Sequence, residues 1–157
     1  MSEELEKIID ESIKLEQNVA ALYTIFSMTF KEDSDFWKEL VLEEKNHASL
    51  IREGRKSFSL RGEFPRELLA PKIEMLIRTN NKLASLLKEY SKNPPSRETA
   101  FKVAFELENS AGEVHFQQAM EKPPNSELMA IFQHLNRDDR DHASRIRTYA
   151  DYKGVQL

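Results

Sequence analysis

The chain has 157 residues, with 23 basic and 27 acidic side chains, a formal net charge of −4 and no cysteine. This length suits one domain with a sizeable core, and an acidic balance without a basic stripe argues against nucleic-acid binding. The lack of cysteine excludes disulfides, thiolate zinc sites and iron–sulfur clusters, so any metal ligands must be carboxylates and imidazoles.

Helical periodicity runs through nearly the whole chain, and its four glycines and six prolines are too few for a many-turned β fold. A first helix is predicted at about 3–30, and a short polar turn separates it from a second helix at about 35–53. Because this turn is short, the two helices should be antiparallel neighbours, which makes 3–53 a helical hairpin.

The connecting segment, 54–95, is long enough to cross a helical bundle, and it contains a predicted helix at about 67–91. After the turn SKNPPS, helices at about 97–121 and 126–152 form a second hairpin, 97–152, through the turn KPPNS. The sequence therefore predicts a single all-α domain, built from two antiparallel hairpins with an additional helix in the central connection.

The N-terminal sequence bears on where the protein is expected to work. The first residues, MSEELEKIIDE, are acidic and lack the basic and then apolar pattern of a secretion signal. The sequence also contains no apolar run that approaches the length needed to span a membrane. We therefore expect a cytoplasmic protein without a membrane partner.

The second helices of the two hairpins share a sequence motif. Residues 43–51 read EEKNHASLI and residues 138–146 read DDRDHASRI, with the acidic pair, His, Ala, Ser and Ile in register. Residues three positions apart share a helix face, so each helix should direct one carboxylate and one imidazole to the same side. These pairs are Glu44 with His47, and Asp139 with His142.

Two further carboxylates, Glu16 and Glu108, interrupt the apolar stripes of the first helices of the hairpins. An ionised carboxylate in an apolar core is costly unless it is paired or bound to a metal. Four carboxylates and two imidazoles in one core would match the charge of two divalent cations. Ferritin-like di-metal proteins have this ligand pattern, with a Glu from each of two helices and a Glu-x-x-His from each of two others.

With these motifs the chain resembles the rubrerythrin branch of the ferritin-like superfamily over nearly its whole length. The resemblance rests on Glu16 with Tyr23 seven residues later, EEKNH at 43–47, Glu108, and DDRDH at 138–142. It implies a ferritin-like four-helix bundle, a carboxylate-bridged di-iron site and redox chemistry with peroxide or dioxygen. An external electron donor would then be a partner.

The chain departs from that family in three respects. Without cysteine it cannot carry the rubredoxin module that usually accompanies the bundle. Phe105 stands where many members have an additional Glu, and Asp139 stands where Glu is usual. The expected function is a di-iron oxidoreductase, and the alternatives are a ferroxidase or iron-handling protein and a non-catalytic metal-binding bundle.

Four other residues are candidate neighbours of the site. Tyr23 lies two turns after Glu16 on the same face, and is either a hydrogen-bonding or radical-capable neighbour of the ligands or a core tyrosine. His115 holds the matching position in the second hairpin, where a core histidine is the simpler interpretation than a ligand. Glu43 and Asp138 precede the ligands, and either orient the histidines across the site or face solvent.

The predicted cofactors are two iron ions. Oxygen-rich ligands with one histidine for each metal suit iron or manganese, whereas structural zinc sites are usually richer in His or Cys. Manganese and zinc remain alternatives, because the affinity order of divalent metals favours zinc. A homo-oligomer is expected, with a dimer favoured over the closed shell that iron storage would require.

Overall fold

The structure is a computed structural model, which describes residues 2–59, 64–135 and 141–157. Every regular element in these ranges is helical, so the prediction of an all-α chain is confirmed. In the same ranges, no helix has the length and apolar character needed to cross a membrane. The α-helices are α1 (Glu3–Thr29), α2 (Ser34–Ser59), α3 (Ile73–Tyr90), α4 (Arg97–Glu108), α5 (Ala111–Glu121), α6 (Glu127–Leu135) and α7 (His142–Tyr152).

The first helix, α1, forms where it was predicted because its start is encoded locally. The Ser2 hydroxyl accepts a hydrogen bond from the Leu5 amide, 3.2 Å away, which caps the helix. Three acidic residues follow in the first turn, where the helix dipole favours negative charge. The buried face of α1 packs against α2 and α3, and it carries Glu16 in an otherwise largely apolar surface.

The second helix, α2, is longer than predicted. We expected it to end near Gly54, but it continues to Ser59. A glycine inside a helix costs about 1 kcal/mol relative to alanine, which is a small penalty for a helix packed along α1. Arg55, in the additional turn, pairs with Glu6 and Asp10 of α1.

The central segment contains a shorter helix than predicted. A 3-10 turn spans Arg66–Leu68, and α3 begins only at Ile73. Pro71 accounts for the late start, because the residue before a proline is disfavoured in the α conformation. Buried Asn80 fixes α3 to α1 by donating a hydrogen bond to the Glu11 carbonyl oxygen at 2.9 Å.

The predicted helix at 97–121 is interrupted between α4 and α5. The side-chain amide of Asn109 donates to the Phe105 carbonyl oxygen at 2.8 Å, and Ser110 has an extended backbone with ψ of 160°. Short polar side chains compete with the backbone for hydrogen bonds, and therefore favour helix ends over helix interiors. Glu108 consequently lies on the last turn of α4, not in the middle of a long helix.

The predicted helix at 126–152 is also interrupted, at Asp141. Asp141 has a left-handed backbone with φ of 55°, so α7 begins at His142. Asp138 and Asp139 lie outside the described residues.

An aromatic core connects the N-terminal helices with α4. The Trp37 ring, fully buried on α2, has its centroid 5.1 Å from that of Phe26 on α1 and 4.8 Å from that of Phe101 on α4. Large aromatic side chains contribute much of the buried apolar area of a small core. α4 in turn packs against α7, which brings His142 toward the helices that carry Glu16 and Glu44.

Candidate metal centre

Five of the six predicted metal ligands lie together in the interior of the protein. Each has at most 3% of its surface exposed to solvent. The sixth, Asp139, belongs to the part of the chain that is not described. The five come from four helices: Glu16 on α1, Glu44 and His47 on α2, Glu108 on α4, and His142 on α7.

The first cluster consists of Glu16, Glu44 and His47. The Nδ1 atom of His47 lies 3.5 Å from Glu16 Oε2 and 3.4 Å from Glu44 Oε2. The candidate ligand atoms of the three side chains all lie within 4.8 Å of one another. Since Glu44 and His47 are one turn apart on α2, the helix itself sets their mutual position.

The second cluster consists of Glu44, Glu108 and His142. The Nδ1 atom of His142 lies 2.8 Å from Glu44 Oε1 and 3.3 Å from Glu108 Oε2. Glu44 therefore belongs to both clusters and turns a different oxygen toward each. The two imidazole rings stack at 5.4 Å with their planes 13° apart. These positions are suited to two adjacent cation sites that share the Glu44 carboxylate.

The carboxylate oxygens of this centre are short of hydrogen bonds. Within the described residues, neither oxygen of Glu44 accepts a well-aligned hydrogen bond, and the same holds for Glu16 Oε2 and Glu108 Oε2. Buried polar atoms without partners cost free energy, and charged atoms cost more. Divalent cations would satisfy these oxygens, and carboxylates with imidazoles are suitable ligands for iron, manganese or zinc. The residues present therefore fit a two-metal group.

The protonation of the centre reflects crowded negative charge. Burial, followed by the charge of Glu44, raises the pKa of Glu16 to about 8. Burial and the charge of Glu108 likewise raise the pKa of Glu44. Without metal, the centre thus retains protons that solvent-exposed carboxyl groups would lose, and cations can replace them.

In the second cluster, the pKa values of His142 and Glu108 shift so that both groups favour their charged forms. Burial disfavours the charged form of His142, but the charges of Glu108 and Glu44 outweigh it and raise the pKa well above 6.5. Burial would raise the pKa of Glu108, yet the charge of His142, its hydrogen bond and that of Tyr23 lower it. Without metal, these two groups therefore form a buried ion pair.

Tyr23 bonds to a candidate ligand. Its hydroxyl donates a hydrogen bond of 2.6 Å to Glu108 Oε1, and its ring is fully buried. Tyr23 therefore holds one oxygen of Glu108 while the other oxygen faces His142. Both sequence interpretations apply to this residue, since it packs in the core and bonds to the site.

Glu43 orients His142 from the side away from the other carboxylates. Its Oε2 lies 3.3 Å from His142 Nε2, and Arg145 Nη1 donates to its two oxygens at 2.6 and 2.8 Å. Burial would raise the pKa of Glu43, but the hydrogen bonds from His142 and Arg145 lower it to about 2. A carboxylate on the far nitrogen fixes the orientation of a ligating imidazole. Nδ1 of His142 is thereby directed toward Glu44 and Glu108.

The role of Arg145 was not predicted from the sequence, and the sequence left open whether His115 is a ligand. Arg145 lies one turn after His142 and could have been suspected from that spacing, but its partner Glu43 is 102 positions away in the chain. His115 is half-buried and belongs to neither cluster. Its neighbour Phe116 packs on the His47 ring, with centroids 4.2 Å apart, and so shields the first cluster.

Comparisons of the chain with models of protein families, with curated proteins and with solved structures gave no match. The similarity to rubrerythrins seen in the motifs therefore stays a prediction. Function must be inferred from the two clusters, from the carboxylate they share and from the residues that orient them.

Proposed function

We propose that this protein is a ferritin-like four-helix bundle of the rubrerythrin branch, which holds two iron ions and acts as an oxidoreductase. Its substrate would be peroxide or dioxygen, and an external donor would supply electrons. The observation that carries the proposal is the position of Glu44, whose two oxygens face two different clusters. A carboxylate in that position is suited to bridge two cations.

The ligands divide naturally between the two cations. Glu16 and His47, with Glu44 Oε2, would hold one of them. Glu108 and His142, with Glu44 Oε1, would hold the other. Two bound iron ions would supply redox equivalents and a Lewis acid for the oxygen atoms of peroxide or dioxygen.

The surrounding residues keep these ligands in place. Tyr23 holds Glu108 through its hydroxyl, and Glu43 holds His142 through Nε2. Arg145 in turn fixes both oxygens of Glu43. Since ligand orientation affects both metal affinity and reactivity, these contacts support a site built for metal more than a chance group of core acids.

The packing of the helices supports the bundle proposal. α1 packs along α2, and α4 packs against α7. These two pairs supply every candidate ligand that the structure describes, and α3, which packs on α1, supplies none of them. A four-helix bundle of two hairpins, with α3 added from the central connection, accounts for this division.

Metal analysis of protein purified without chelator is the first test. We expect two divalent metal ions per chain, and anaerobic loading with Fe(II) followed by peroxide should produce a ferric absorption band. Glu44→Gln should lower uptake at both positions, because Glu44 serves both clusters. The matched control is Glu53→Gln, an exposed glutamate on the same helix, which should bind metal normally.

Several outcomes would contradict the proposal. Wild-type protein that takes up no metal, or a Glu44→Gln variant that retains two ions, would exclude a shared carboxylate site. Deposition of far more ferric iron than two ions per chain would favour the ferroxidase alternative. Binding of two ions with no change on addition of peroxide or dioxygen would leave a non-catalytic metal-binding bundle.

A further inference from the structure

A column of aromatic rings leads from the candidate metal centre to the protein surface. Tyr23, which bonds to Glu108, has its ring centroid 5.4 Å from that of Trp37. The Trp37 and Phe36 rings are 5.2 Å apart, and Phe36 stacks on Tyr149 at 4.0 Å with the planes 10° apart. We call Tyr23, Trp37, Phe36 and Tyr149 the ring column.

A second contact runs in parallel with part of this column. The Phe101 ring lies 4.8 Å from Trp37 and 5.9 Å from Tyr149. Trp37 and Tyr149 are therefore connected through two phenylalanine rings, one on α2 and one on α4. Close ring contacts matter here because electron tunnelling between side chains falls off exponentially with distance.

The outer end of the ring column opens into a surface hollow. The hollow has a volume of about 450 Å³, and Phe36, Tyr149, Tyr152 and Arg145 contribute to its lining. Its volume is within the range of small-molecule sites. Tyr152 is 83% exposed, so an aromatic ring is available to a molecule that enters from solvent.

We propose that the ring column carries single electrons from a small one-electron reductant, bound in this hollow, to the metal centre, an inference that rests on the proposed redox function. Tryptophan and tyrosine are among the side chains most readily oxidised by one electron. Trp37 and Tyr149 are the two residues that are oxidised and reduced in turn. Phe36 lies between them, and the Tyr23 ring connects Trp37 to Glu108.

Each transfer leaves the column unchanged. With an oxidised metal pair bound, Trp37 would give the centre one electron and would regain one from Tyr149. The Tyr149 hydroxyl proton moves to Asp33, whose Oδ1 lies 3.0 Å away, and returns when the reductant restores the electron. The net change is one electron lost by the reductant and one gained by the centre.

Two features of the column fit this role. Asp33 is fully buried and is held by Arg97 through two hydrogen bonds of 2.7 and 2.8 Å, which fixes the acceptor for the Tyr149 proton. The Trp37 indole nitrogen makes no hydrogen bond within the described residues. A phenylalanine would bury an aromatic ring without leaving a donor unsatisfied.

The chain is well suited to a test, because it contains one tryptophan and no cysteine. In the Tyr152→Cys variant, a ruthenium photo-oxidant is attached to the thiol at position 152, which lines the hollow. No other cysteine competes for the label. In the presence of a dissolved electron acceptor, a light flash on the labelled, metal-free protein converts the label to Ru(III). Ru(III) should then produce the absorption of an indole radical, which can come only from Trp37. Tyr149→Phe should slow its formation by at least an order of magnitude, and Trp37→Phe should abolish it.

Two controls separate the path from general oxidation. A label on Ala84→Cys, at an exposed position of α3, should give an indole radical at least an order of magnitude more slowly. Tyr90→Phe removes a buried tyrosine next to Phe26, which lies outside the column, and should leave the rate unchanged. Circular dichroism checks that each variant folds, and Tyr149→Phe keeps the test decisive if Trp37→Phe does not fold.

The outcomes distinguish this inference from the proposed function. Absence of the Trp37 radical in labelled Tyr152→Cys, or equal rates from the labels at 152 and 84, overturns the inference, even if the loaded protein reacts with peroxide. If the radical forms as expected but iron-loaded protein shows no absorption change with peroxide, the redox function is wrong and the column has no role in it.

Discussion

The pH dependence of stability without metal is the most direct consequence of the crowded carboxylates. The pKa of Glu16 is raised to about 8 in the folded protein, against a usual value of 4.5. Between these values the folded state binds a proton that the unfolded chain has lost, so stability decreases as pH increases. Each pH unit in this window costs about 1.4 kcal/mol, and the loss from about pH 5 to about pH 7 should be about 3 kcal/mol.

Replacing Glu16 with Gln should remove this loss. Glutamine has nearly the shape of the protonated glutamate but cannot ionise, so metal-free Glu16→Gln should be more stable than metal-free wild type at neutral pH. The raised pKa of His142 adds a further decline above its usual 6.5 in both proteins. Glu44, whose pKa is likewise raised, also titrates in both proteins. The difference between the two pH profiles therefore reports the charge on Glu16, including its effect on Glu44.

Urea denaturation of chelator-treated protein across this pH range measures the effect. Exposed Glu53→Gln is the control and should follow wild type at every pH. Added Mn(II) under anaerobic conditions should restore wild-type stability at neutral pH by binding the native state. Parallel pH profiles for wild type and Glu16→Gln, with no response to Mn(II), would refute the reasoning that the acids form a buried, cation-binding group.

Three further predictions concern the ligands and the assembly. Arg145→Gln should loosen Glu43 and so His142, and should weaken metal binding by about 10- to 100-fold in a titration that follows metal uptake. Tyr23→Phe should leave Glu108 Oε1 without its donor and lower the free energy of unfolding of metal-free protein by about 1–3 kcal/mol in urea, while two metal ions still bind at saturating metal. Light scattering should find a dimer, and a closed shell of many chains would favour iron storage instead.

The candidate ligands could be predicted from the sequence because apolar periodicity and helix spacing are local signals. Glu16 and Glu108 stand in apolar stripes, and Glu44 with His47 follows the spacing of one helix turn. The structure brings these four residues and His142 together, at distances that spacing alone could not give.

The features that sequence analysis missed depend on tertiary contacts or on small differences in helix propensity. The contact of Glu43 with Arg145 joins α2 to α7, and spacing along one helix cannot reveal it. That Glu44 serves both clusters depends on how four helices pack. The breaks at Ser110 and Asp141 arise from short polar residues, whose preference for helix ends is too weak to override a strong apolar pattern in a sequence-based prediction.

The two breaks also make the halves of the metal centre unequal in stiffness. Glu16, Glu44 and His47 lie in the middle of long helices, whereas Glu108 is the last residue of α4 and His142 the first of α7. Helix ends open locally at much lower free energy than helix middles. The first cluster should therefore be rigid and bind metal first. The second cluster should be more mobile, so that its side chains adjust when the next ion binds and when the ligands rearrange. Where the helices end therefore predicts that metal loads stepwise, into the first cluster before the second.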